Sequence, residues 1–220
     1  MIKCSTSLWS ADLTNLANET RRVESFSQAF HLDVADGHYT PTMLFFPDLV
    51  AQLRPHTTLP LEVHLMTTDP LTWIDPFVQA GADGFIFCYD SLDDVAEAIK
   101  RVRDHGKWTG ISLTLDEFPE LLNPYWNDLH LVTIIGSAVG IKGASMDASI
   151  PDKIRQARAL IAHAGSTTEV QADGGIRRNT VPLMVAAGAD WIVPGSLMFK
   201  EDPVEMTAWL STLEGPSESA

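Results

Sequence analysis

Eight short runs rich in apolar and β-branched residues recur along the chain at even spacing, and each is followed by a longer stretch with helical periodicity. Few folds accept that alternation. The strand-like runs lie at Lys3–Ser7, Phe30–Val34, Leu61–Leu65, Gly84–Cys88, Thr109–Leu113, Leu129–Ile134, Glu169–Ala172 and Trp191–Pro194. Helical patterns are clearest at Ala11–Phe26, Leu71–Ala80, Leu92–His105, Pro151–Ala164, Thr180–Ala187 and Pro203–Leu213, and least regular over 42–54 and 117–125. Asp12 and Ser91 are placed as helix N-caps, while Gly81 and Gly188 follow helix ends as C-caps. An open, doubly wound α/β sheet is one arrangement of such units, but eight evenly spaced strands favour closure into a (β/α)8 TIM barrel. No Pro/Gly/Ser linker divides the chain, so one domain is expected over residues 1–214, with 215–220, GPSESA, as a frayed tail.

The charge narrows the partners. With 29 acids against 15 bases the formal net charge is -14, a field that repels nucleic acid and anionic lipid, so neither is an expected partner. An anionic substrate would have to be held locally against that field. Cys4 and Cys88 sit in strand-like runs with no CxxC spacing and read as reduced, buried thiols of a cytoplasmic protein. The N-terminal MIKCSTSLWS has no charged region followed by a long apolar one, so no secretory leader is expected, and no apolar run approaches a membrane span.

Ionisable residues gather where strands end. The stretch "HLDVADGHYTP" (31–41) places His31, Asp33, Asp36 and His38 within eight positions. Residues two apart on a strand share a face, so His31 and Asp33 point the same way near the end of the second strand. Glu62 and His64 stand in the same relation on the third, and Asp173 follows the seventh. If all face inward, two imidazoles and two carboxylates converge at the C-terminal mouth, where such barrels keep their active sites. That donor set suits one divalent ion: zinc, manganese, iron or cobalt. Each residue alone has a plainer reading, His64 as a satisfied core histidine and Asp33 as a turn or cap acid. Glu62 reads equally as a buried partner of a ligand or as a simple strand-interior acid. Asp36, His38, His56, His105, His130 and His163 read as structural or solvated groups, Asp36 and His38 shaping the turn that follows the strand.

At the other side of the mouth, "DGGI" (173–176) and "PGSLMF" (194–199) close the seventh and eighth strands. Glycines there let the backbone approach an anion, and the loops after strands seven and eight are the recurring phosphate site of these barrels.

Taken together, "CSTSLWSADLTNL", "HLDVADGHYTP", "EVHLM", "ADGGI" and "GADWIVPGSLMF" resemble the ribulose-phosphate 3-epimerase family over residues 4–203. The resemblance implies a metal-dependent epimerase of a ketose phosphate. It implies a divalent metal on His31, Asp33, His64 and Asp173, with Asp33 and Asp173 doubling as acid and base. It places Ser7 and Met66 near the substrate and Gly174, Gly175, Gly195 and Ser196 in the phosphate cradle. It also implies a homo-oligomer, to which apolar Trp9 and Phe45 are expected to contribute exposed surface.

Several positions depart from the family pattern. Two family methionines that line the reacting centre are Ala35 and Thr133 here, which predicts a roomier, more polar pocket. A strand-four histidine is Cys88, and an Asn and a Gly of the second loop are Thr42 and Phe46. The glycine-rich loop after strand six becomes "IGSAVGIKGASM" (135–146), which keeps Gly136, Gly140 and Gly143 and adds Lys142. Lys142 reads equally as a phosphate or substrate contact and as a solvated loop lysine. An intact acid/base set in an altered shell implies the same reaction on a different pentulose, hexulose or tetrulose phosphate. A decarboxylase of the same fold would need an Asp-x-Lys-x-x-Asp signature on strand three, and "LEVHLMTTDP" has no lysine. A non-catalytic sugar-phosphate sensor is the remaining alternative, disfavoured because unused ligands would leave buried charges.

Overall fold

The computed structural model describes residues 2–213; the tail expected at 215–220 lies outside them. Eight parallel strands close into a barrel: β1 (Lys3–Ser7), β2 (Ala29–Asp36), β4 (Leu61–Met66), β5 (Gly84–Cys88), β6 (Trp108–Leu113), β7 (Leu131–Ile135), β8 (Glu169–Asp173) and β9 (Trp191–Ile192). Pairing of β1 with both β2 and β9 completes the ring. The remaining strand, β3 (Met43–Leu44), is antiparallel to the end of β2 and lies outside the ring.

The helices are α1 (Leu16–Val23), α2 (Pro47–Leu53), α3 (Ile74–Ala80), α4 (Val95–Asp104), α5 (Ile150–His163), α6 (Val181–Ala187), α7 (Ser196–Phe199) and α8 (Pro203–Leu210). Gly81 and Gly188 end α3 and α6 in the left-handed region, as expected of C-caps. Asp12 caps a short 3₁₀ turn through the Thr14 N–H. The stretch 11–26 is broken, with 3₁₀ turns on both sides of α1. Ser91 is not a cap. A 3₁₀ turn at Tyr89–Ser91 delays the helix, and Asp94 caps α4 by accepting from the Ala96 and Glu97 N–H groups. The stretch 117–125 holds only a 3₁₀ turn at Pro119–Leu122, and 42–54 divides into β3 and α2.

Alternation along each strand sorts the side chains. Phe30, Leu32 and Val34 of β2 and Leu61, Val63 and Leu65 of β4 are buried in the apolar layer beneath the helices. The residues between them point into the barrel, and there the interior is polar: Ser5, Ser7, His31, Asp33, Glu62, His64, Ser112, Thr133 and Gln171 are all buried. Barrel interiors are usually filled by branched apolar side chains. A buried polar layer of this size is tolerable only if its members satisfy one another.

Candidate active site

Register builds the cluster. In the β2–β4 pair His31 lies beside Glu62 and Asp33 beside His64, while Ile135 of β7 pairs with Asp173 at the end of β8. The four expected ligands therefore meet. One donor atom from each of His31, Asp33, His64 and Asp173 falls within 4.8 Å of the others. His31 Nε2 is 3.5 Å from Asp33 Oδ1 and 3.8 Å from Asp173 Oδ2, and His64 Nδ1 is 3.9 Å from Asp173 Oδ2. Four donors about 2.0–2.2 Å from one central ion sit roughly 3.3–3.6 Å apart, so small side-chain adjustments would close the set.

Hydrogen bonds behind the cluster fix which nitrogen faces it. His31 Nδ1–H donates to Glu62 Oε1 at 2.7 Å, which turns Nε2 toward the cluster. His64 Nε2 is 3.0 Å from Ser112 Oγ, whose own proton goes to the Phe87 carbonyl; the imidazole is the donor, and Nδ1 is bare. His31 Nε2 and His64 Nδ1, the nitrogens that face the cluster, are both buried without a hydrogen-bond partner. A fully buried, unpartnered imidazole nitrogen is costly, and two of them facing two carboxylates make the donor set of a divalent metal site. The residues fit such an ion.

Glu62 is a hydrogen-bonded partner of His31 rather than an isolated strand acid. Its Oε1 accepts from His31, from Ser5 Oγ at 2.6 Å and from Gln171 Nε2 at 2.9 Å. Thr133 Oγ donates to Gln171 Oε1 at 2.8 Å and so extends the network to β7. Ser7 Oγ donates to Asp33 Oδ2 at 2.7 Å.

The charges tune one another. Burial opposes a proton on His31, but Asp33, Glu62 and Asp173 outweigh it and hold its pKa well above the ordinary imidazole value. Burial and the neighbouring His31 push His64 down to about 3. Burial raises the Asp33 carboxyl, yet His31 and His64 bring it below its usual range. Burial, reinforced by Asp33, lifts Asp173 to about 6 against the pull of His31.

Above the cluster lies a cavity of about 260 Å³. Ser7, Asp33, His64, Met66, Gly140, Lys142, Gly143, Asp173, Gly174, Gly175, Gly195 and Ser196 all line it, and His31 lies just beneath, fully buried. Gly175 has φ +68°, and a Cβ there would fall 2.5 Å from the Met146 backbone nitrogen, so the loop after β7 passes directly over the glycine turn. Lys142 crosses further: its ammonium donates to the Trp9 carbonyl at 2.7 Å and lies over the Trp9 ring.

Other sequence expectations need correction. Ala35 does not open space in the cavity; it packs with Met66 and Cys88 against Tyr39, Leu44 and Val139. Thr133 is engaged behind His31 instead of facing the cavity. Phe45 is buried, and the exposed apolar groups nearby are Met43, Phe46 and Trp73. Asp36 shapes the turn as expected, accepting from the His38, Tyr39 and Thr68 N–H groups. Sequence reading passed over Arg177 and Lys200, which also line the cavity. Their signal was proximity to "DGGI" and "PGSLMF".

Fold and site together define a (β/α)8 barrel whose C-terminal mouth carries a two-histidine, two-carboxylate cluster under a glycine-lined cavity. Residues 3–199 match the Ribulose-phosphate 3 epimerase family. The chain is 32% identical to ribulose-phosphate 3-epimerase of Chlamydia pneumoniae over 212 residues, 95% of this chain and 93% of that one. It is 32% identical to the Bacillus subtilis enzyme of the same name over 201 residues, 90% and 93% of the two chains. The chain belongs to the ribulose-phosphate 3-epimerase family, and so to the isomerases that act on carbohydrate phosphates. Among solved structures, 3-keto-L-gulonate-6-phosphate decarboxylase of Vibrio cholerae superposes with a TM-score of 0.70 at 19% identity, covering 96% of this chain and 95% of that one. That likeness is one of fold. No helix among the described residues is long and apolar enough to cross a membrane.

Proposed function

We propose that the protein inverts the C3 carbon of a ketose phosphate, D-ribulose 5-phosphate or a related pentulose, hexulose or tetrulose phosphate, in a divalent-metal-dependent reaction. The pair of buried, unpartnered nitrogens, His31 Nε2 and His64 Nδ1, facing Asp33 and Asp173 carries this reading. His31, Asp33, His64 and Asp173 would hold zinc, manganese, iron or cobalt. When bound, the metal supplies Lewis-acid stabilisation of the negative charge that proton loss leaves on the substrate oxygen.

The chain's own groups do the rest. One aspartate takes the C3 proton as general base, and the other returns a proton to the opposite face. They exchange roles in the reverse direction. Their placement at the ends of β2 and β8, across one cluster, supports approach from two sides. Ser7 holds Asp33 through its hydroxyl, and Met66 borders the reacting centre on the apolar side. The glycines at 174, 175 and 195 with Ser196 cradle the phosphate, and the loop bearing Gly140, Lys142 and Gly143 covers it. A homo-oligomer in the cytoplasm is part of the same reading, supported by the family.

Proton NMR of the metal-loaded protein in deuterated water, with D-ribulose 5-phosphate beside other ketose phosphates, tests this. Loss of the C3–H signal with appearance of the epimer is expected for at least one of them. Bound metal with no exchange on any would overturn it.

A further inference from the structure

The distribution of positive charge around the cavity is uneven for so acidic a protein. Nine of the fifteen lysines and arginines pair with a carboxylate among the described residues. Six do not, and three of those six, Lys142, Arg177 and Lys200, line the single cavity above the His/Asp cluster. Adjacent arginines make the contrast plain. Arg178 is exposed and pairs with Glu201. Arg177, one residue earlier, is half-buried and spends one N–H on the Ile176 carbonyl. A guanidinium has five N–H donors in a fork suited to phosphate oxygens.

The three cations come from loops that are neighbours around the barrel. Lys142 follows β7, Arg177 follows β8 and Lys200 follows β9. Because Lys142 reaches the Trp9 carbonyl beyond β1, its loop spans the two glycine turns between. Arg177 lies two residues past Gly175 and Lys200 five past Gly195, and with Lys142 they line the same cavity as those glycine turns. In a chain of net charge -14, three cations without carboxylate partners along one cavity make a local positive well in a negative field.

We propose that Arg177 and Lys200, with Lys142 closing from above, are side-chain ligands of the substrate's terminal phosphate dianion, so that recognition at this end is by charge as well as by backbone N–H groups. The inference rests on the ketose-phosphate reading for the identity of the ligand, but it is tested without turnover.

The test is titration of the metal-loaded protein with inorganic phosphate by calorimetry. Arg177→Gln and Lys200→Gln should each weaken phosphate binding by about tenfold or more, as expected for loss of a charge-assisted hydrogen bond. Arg177→Lys, which keeps the charge, should retain most of the affinity. Arg178→Gln removes the same charge outside the cavity and should leave it within about twofold, since an exposed charge contributes little. Equal weakening by Arg177→Gln and Arg178→Gln would reduce the effect to the general field and overturn the proposal. So would unchanged affinity in Arg177→Gln and Lys200→Gln, or no phosphate binding by the unaltered protein. Absence of epimerisation alongside charge-dependent phosphate binding would instead remove the epimerase reading and leave this one standing.

Discussion

The floor and the rim of the cavity are built differently. On the floor, polar side chains are buried and tied to one another: Glu62 accepts three hydrogen bonds, Gln171 bridges Glu62 and Thr133, and Ser7 holds Asp33. On the rim, Lys142 and Arg177 bond only to backbone carbonyls, and Lys142 and Lys200 are exposed. The floor fixes positions, because every member stands on a strand and is hydrogen-bonded to another. The rim supplies charge on loops that tolerate substitution. Departures from the family pattern follow the same division. Thr133 is absorbed by Gln171 on the floor and Ala35 by the apolar side chains around it, whereas the loop 135–146 keeps little of the pattern beyond its glycines.

The largest test of this division strikes the floor. Asp33→Asn and Asp173→Asn should each lower kcat by about 10²–10⁴-fold, the range for loss of a general acid or base, measured as solvent deuterium uptake at C3. Turnover retained in both single variants would remove the floor from the chemistry. Glu62→Gln keeps an acceptor for its three donors but removes the charge behind His31. It should weaken metal affinity by about 10–100-fold, read by competition with a chelator, with the circular dichroism spectrum unchanged.

Acidity gives the next effect. A metal must compete with protons for these ligands, and burial places the Asp173 carboxyl at about 6. Affinity should therefore fall as pH falls, by about tenfold between pH 7 and pH 5 from this group alone. Protonation of His31, whose pKa the surrounding carboxylates raise, adds in the same direction. A flat profile of bound metal against pH over that range would show that Asp173 is not a ligand. The smallest effect belongs to the rim. Gly140 has φ +68°, and a Cβ there would collide with Thr40 Oγ1, so Gly140→Ala should strain the loop by about 1–3 kcal/mol. KM should rise several-fold with metal affinity untouched; a matching loss of metal would join loop and floor into one unit.

The floor was legible in the sequence, while of the rim only the glycine turns and Lys142 were and Arg177 and Lys200 were not, for physical reasons. His31, Asp33, His64 and Asp173 could be found because strand alternation has a fixed period of two and the mouth of the barrel is at strand ends. Rim residues lie on loops, where spacing does not predict direction, so nothing separated Arg177 from Arg178 before the fold was known. Local turns misled in the same way. The 3₁₀ turn at Tyr89–Ser91 moved the α4 cap to Asp94, and the β3 reversal buried Phe45 while exposing Met43 and Phe46. Refilling beside Ala35 was equally hidden, since it depends on Tyr39, Leu44 and Val139 from three different segments.

The ring of strands is not equally strong all round. β2 and β4 share six register pairs, but β9 contributes only Trp191 and Ile192 and joins β1 through two. That short seam runs directly under the glycine cradle, with Ser7 on one edge and Gly195 and Ser196 on the other, linked by the Ser7 N–H to the Pro194 carbonyl. Whatever fills the cradle touches both edges and works as a stitch across one of the barrel's two shortest joins. Amide protons of β1 and β9 should then be the ones whose exchange with solvent slows most when the cavity is occupied. In this barrel the ligand finishes the wall that holds it.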